Sequence, residues 1–132
     1  RLIAGRNLDR YGRIPVLRVA SIFMIMAMMT IAFAETKAML MIAGVLFGSA
    51  VGMYSPTTAA WVVDLSLDAY RGRALATMHI FLEAGIGIGA IVSGFLYANK
   101  AENFQLVFLS SAGMAFLAFL VLVSIRKRKY QT

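Results

Sequence analysis

The chain has 132 residues, of which 61% are hydrophobic and 14% charged, and its mean hydropathy is +0.78. An average soluble domain is about 45–50% apolar and about 25% charged, so the composition excludes a disordered chain and argues against an ordinary soluble domain, which needs a charged surface. The absence of cysteine excludes a disulfide-stapled scaffold, and the net charge of +7 sits between and beyond long apolar runs rather than on one folded stripe, which suits membrane topology and not nucleic acid.

The chain opens on Arg1 rather than Met, and no signal-peptide pattern precedes the first apolar run. It reads as part of something longer. Residues 5–13 are polar and basic, with glycines at Gly5 and Gly12. Four apolar segments follow, at about 14–34, 37–63, 72–98 and 104–125. Each is long enough to cross a hydrocarbon core about 30 Å thick, which takes about 20 helical residues. They are apolar all round rather than alternating, which predicts helices and not membrane strands. The fold class expected is an all-α polytopic membrane protein of four spans. Eleven of the thirteen basic residues fall on one side: Arg1, Arg6, Arg10, Arg13, Arg18, Arg71, Arg73 and Arg126, Lys127, Arg128, Lys129. Lys37 and Lys100 fall on the other. The positive-inside rule then places both ends and the 64–73 loop in the cytoplasm.

The second span carries Gly44, Gly48 and Gly52 at four-residue spacing, followed by Pro56. Small residues let membrane helices approach closely. Proline removes a backbone donor and is expected to kink the helix; Ser55, Thr57 and Thr58 are placed to satisfy the freed carbonyls. The span reads as a packing stripe with a bend that can serve as a hinge. Between the second and third spans lie Asp64, Asp68, Arg71, Gly72 and Arg73, expected to be a solvated loop.

The third span holds Glu83, the acidic residue deepest inside an apolar run. A charge at mid-bilayer costs about 2.5–3.5 kcal/mol on insertion scales, so such a residue usually faces a cavity or a partner. His79 is one turn earlier on the same face, with Gly87, Ala90 and Gly94 beyond. An i, i+4 His–Glu pair can share a proton, so Glu83 and His79 are candidates for proton coupling or solute contact. The alternative is a carboxyl tied structurally to a neighbouring helix. Gly85 and Gly89 form a second small-residue stripe, at a propensity cost of about 1 kcal/mol per glycine. Phe81, Ile88, Val92 and Phe95 point away from Glu83. No metal-spaced cluster, P-loop or nucleophile motif occurs, so neither an enzyme nor a metal or other cofactor is expected.

The run Gly5-Arg6-Asn7-Leu8-Asp9-Arg10-Tyr11-Gly12-Arg13 resembles the cytoplasmic loop motif of the major facilitator superfamily, roughly G-x-L-x-D-R-x-G-R. Gly5, Asp9, Arg10, Gly12 and Arg13 match; Asn7 stands where leucine is usual. The 70–74 run Tyr-Arg-Gly-Arg-Ala is similar to the family's element opening the eleventh helix. Gly85-x3-Gly89-Ala90-x2-Ser93-Gly94 is similar to a glycine element of drug-efflux members, with Ala90 in place of its proline and Ser93 in place of a glycine. The resemblance implies a partial major facilitator fold, with Asp9, Arg10 and Arg13 acting in a cytoplasmic gate of alternating access. A first-half fragment would carry an arginine inside its second span; this one does not, and the basic run 126–129 resembles a C-terminus, so helices nine to twelve are expected. The function implied is proton-coupled efflux of small organic molecules across the inner membrane, with small solute, protons, lipid and the parent transporter's remaining helices as partners. The alternatives are a proton-coupled uptake symporter for a sugar or organic anion, and a self-standing four-helix exporter or assembly subunit.

Overall fold

The computed structural model describes residues 12–98 and 100–125. Four long helices account for most of them: α1 (Arg13–Ala32), α2 (Lys37–Asp64), α3 (Arg71–Tyr97) and α4 (Phe104–Ser124). Each is long and apolar enough to cross a membrane. At about 1.5 Å of rise per residue, the 20 residues of α1 match a hydrocarbon core about 30 Å thick. Helix is the expected form, because an all-apolar segment in lipid must satisfy its backbone internally.

The connections are short and locally capped. Phe33 ends α1 by donating to Met29 O. Thr36 opens α2, its hydroxyl accepting from the Met39 N–H at 3.3 Å. One 3-10 turn (Asp68–Tyr70) leads into α3. Ala98 closes α3 in the left-handed region, at φ 46°, and Asn103 Nδ2 donates to Tyr97 O at 3.1 Å. A second 3-10 turn (Ala101–Asn103) precedes α4. The short links make neighbouring helices antiparallel. One end of the bundle therefore gathers the start of α1, the end of α2, the start of α3 and the end of α4.

α1 lies at the centre of the packing, against both α2 and α4. α3 touches α2 and α4 only lightly and has no buried residue. The tightest approach is between α1 and α2. Ala20 and Ala27 on α1, and Ala43, Ala50 and Thr57 on α2, are wholly buried and recur every seven residues. Arg13 and Asp64 continue the two series and are bonded to each other. With that pair fixing the antiparallel register, Ala20 falls opposite Thr57 and Ala27 opposite Ala50. Side chains this small let two backbones come close, the main source of helix association where lipid offers no hydrophobic drive.

The glycine stripes are elsewhere. A methyl group built on Gly44, Gly48, Gly52, Gly85, Gly87, Gly89 or Gly94 meets nothing within 4 Å. The chain's own helices leave these stripes uncovered. α2 runs unbroken through Pro56. Of the three hydroxyls placed to compensate it, Thr58 donates to Tyr54 O at 2.8 Å. The Thr57 hydroxyl is buried with no hydrogen-bond partner among the described residues.

Candidate functional site

Gly5, Asp9 and Arg10 of the expected gate loop lie outside the described residues; Gly12 and Arg13 lie within them. Gly12 adopts φ 79° and ψ 169° directly before α1. That region is essentially restricted to glycine, so the chain enters α1 by a turn no other residue makes without strain. One residue on, Arg13 Nε donates to Asp64 Oδ2 at 2.8 Å, tying the start of α1 to the end of α2. The arginine side chain is 23% exposed and the aspartate 50%. An ion pair this wet contributes about 0.2–1 kcal/mol; its value is in register more than in stability.

The other charges of the 64–73 loop pair locally. Arg71 Nη2 reaches Asp68 Oδ1 at 2.7 Å, an i, i+3 contact exposed on both sides. The Arg73 guanidinium carbon lies 5.7 Å from the centre of the Tyr70 ring, within cation–π range. Gly72 has open space at its Cβ position. These contacts organise the lead-in to α3 without joining it to another helix.

Glu83 lies near the middle of α3, and His79 one turn towards the Arg71 end. Both are exposed. The two ion pairs among the described residues are Arg13–Asp64 and Arg71–Asp68; neither involves Glu83. The described residues therefore carry a carboxyl half way along an apolar helix and offer it no ion-pair or hydrogen-bond partner among themselves. The flanking glycines Gly85, Gly87 and Gly89 give the same stretch a low, open surface.

Arg18 is a site residue that hydropathy reading counts as a loop cation. Its Nε and Nη2 donate to Leu122 O at 3.1 and 2.8 Å, and Nη2 also reaches Val123 O at 3.2 Å. The sequence signal was its position five residues inside an apolar run, where a cation is costly without acceptors. Next to it, Ser21 donates to Leu17 O at 2.8 Å and meets the Tyr54 hydroxyl at 3.2 Å. Arg13, Arg18 and Ser21 thus give the first half of α1 polar ties to both of its neighbours.

A model of the family described as Major Facilitator Superfamily matches residues 1–132. The chain is 30% identical over 116 residues to Multidrug resistance protein 1 of Bacillus subtilis, covering 88% of this chain and 29% of that protein. It is 30% identical over 124 residues to Multidrug resistance protein MdtG of Klebsiella pneumoniae, covering 93% of this chain and 30% of that one. The chain thus spans about three tenths of the length of these curated relatives. No solved structure matches it.

Proposed function

Because the chain belongs to the Major Facilitator Superfamily, we propose that it is part of a secondary active transporter that exports small organic molecules from the cell in exchange for protons. In this reading the four helices are the ninth to twelfth of the parent, embedded in the inner membrane. The end gathering Arg13, Asp64 and Arg71 faces the cytoplasm, in keeping with the basic excess on that side. The observation that carries the proposal is Glu83: a carboxyl midway along an apolar helix whose surroundings this chain leaves open. A carboxyl at that depth is a functional candidate by default. Export of organic molecules is preferred over uptake because both similar proteins bear multidrug resistance in their names.

The roles follow from position. Glu83 takes and releases the coupling proton, with His79 one turn towards the cytoplasm as a relay. Gly44, Gly48, Gly52, Pro56, Gly85, Gly89 and Gly94 give α2 and α3 smooth or bendable surfaces against the parent's other helices. Asp9, Arg10, Gly12 and Arg13 close the cytoplasmic side, with Asp64 and the 71–73 lead-in as their setting. The energetics suffice: one proton crossing 100 mV releases about 2.3 kcal/mol, with about 1.4 more per pH unit.

The test is uptake of ethidium into inside-out vesicles carrying the full-length protein, driven by an imposed pH gradient. Gradient-driven uptake is expected to disappear in Glu83→Gln and to weaken in His79→Gln. Unchanged pH-dependent uptake in Glu83→Gln removes the carboxyl from the coupling mechanism.

A further inference from the structure

The last turn of any helix ends in carbonyls that lack intrahelical donors and carry the negative end of the helix dipole. At the end of α4, Arg18 supplies the donors from a different helix. Three contacts to two successive carbonyls use the planar fork of a guanidinium, which a lysine ammonium cannot reproduce. Leu122, whose carbonyl takes two of these contacts, is itself only 7% exposed. On α1, Leu17 beside Arg18 is 2% exposed. The junction is therefore packed as well as hydrogen-bonded. Five residues earlier on the same helix, Arg13 reaches the end of α2. Two arginines in the first two turns of α1 thus fasten two different helix ends, and α3 has neither tie.

We propose that Arg18 is a positioning residue that pins the end of α4 to α1. With Arg13–Asp64 it makes the cytoplasmic ends of α1, α2 and α4 one rigid piece. The pin itself stands on geometry alone; its effect on transport rests on the function proposed above.

The experiment exploits the absence of cysteine from this chain. A cysteine is placed at Leu122, in the pinned junction, or at Thr57, wholly buried in the α1–α2 contact, in the full-length protein in membrane vesicles. Labelling by a small maleimide is followed by mass spectrometry of the peptide that carries the probe. In the Arg18 background both sites label slowly. Arg18→Met is expected to speed labelling of Leu122→Cys by about tenfold, the equivalent of about 1.4 kcal/mol of opening, and to leave Thr57→Cys unchanged. Arg18→Lys falls between, because one point donor replaces a fork. An unchanged rate at Leu122→Cys overturns the pin. Equal acceleration at both sites also overturns it, because the loss is then general unfolding.

Ethidium uptake supplies the second readout. Arg18→Met is expected to lower turnover several-fold at saturating dye with KM within about twofold, and Arg18→Lys to restore part of it. A raised KM with unchanged turnover overturns the positioning role. Absence of uptake in the unsubstituted protein counts against the transport reading, and the labelling result still decides the pin.

Discussion

At the scale of single residues, two positions hold free energy that substitution can release. Thr57 buries a hydroxyl that makes no hydrogen bond among the described residues. Leaving a polar group so costs about 1–3 kcal/mol, although helices unfolded within a membrane also find partners and the effect shrinks accordingly. Thr57→Val keeps the shape and removes the hydroxyl. It is expected to stabilise the protein by about 0.5–1 kcal/mol, seen as a higher midpoint in thermal denaturation in detergent. A lower midpoint would mean that the hydroxyl is bonded in the assembled protein. Ala98 is the second position, a non-glycine residue at φ 46° and ψ 30°. The left-handed region costs an L-residue about 1–2 kcal/mol, and glycine gives back part of that through its greater freedom when unfolded. Ala98→Gly is expected to be neutral to stabilising, by up to about 1 kcal/mol, in the same melting experiment. Clear destabilisation would place Ala98 in a contact with helices outside this chain.

At the scale of helices, the α1–α2 contact makes the sharpest prediction. Ala27 is wholly buried, and the register sets it against Ala50. Inserting bulk into a packed contact costs about 1–3 kcal/mol. Ala27→Leu is expected to lower thermal stability by that amount, while Leu at exposed Val45 leaves it unchanged; equal effects would mean that the contact is loose. This contact also marks the limit of what the sequence makes legible. Four spans are readable because hydropathy and length alone fix them. Which face of a span packs is not, because in apolar helices every face looks buried. The four-residue series Gly44, Gly48, Gly52 is the louder pattern, yet the seven-residue series Ala43, Ala50, Thr57, Asp64 on α2, with Arg13, Ala20, Ala27 on α1, holds the helices together. Only the two series together, antiparallel and ending in opposite charges, distinguish it. Within the candidate site, the importance of Arg13 and Asp64 is visible separately, but their pairing across the hairpin follows only from the register. Arg18 escapes because its acceptors are backbone carbonyls, which no side-chain pattern encodes.

At the scale of the whole molecule, three helices pack closely and α3 only lightly. α3 has no buried residue, and Phe95 on it is 80% exposed. The open glycine stripes of α2 and α3 complete a broad surface that the described residues do not cover. The proposed function assigns that surface to the parent's other helices, and Gly48→Ala tests the assignment. Nothing among the described residues meets the added methyl, and helix propensity favours alanine by about 1 kcal/mol. Stability is nevertheless expected to fall in the full-length protein, because a covered glycine has no room for it. A rise in the melting midpoint would show that Gly48 faces lipid there.

The loose seating of α3 also bears on how the protein is made. A bilayer accepts apolar helices one at a time and lets them associate afterwards. As the chain emerges, α1 and α2 can zip together over their alanines, and α4 can lock on when its last turn reaches Arg18. α3, inserted between them in time, gains little from either event. In the proposed parent its glutamate and its glycines are left to the eight helices made before these four. The seating of α3 thus depends on those helices more than on α1, α2 and α4. A copy that stalls before it displays the weakest helix of the set to the proteases that patrol the membrane.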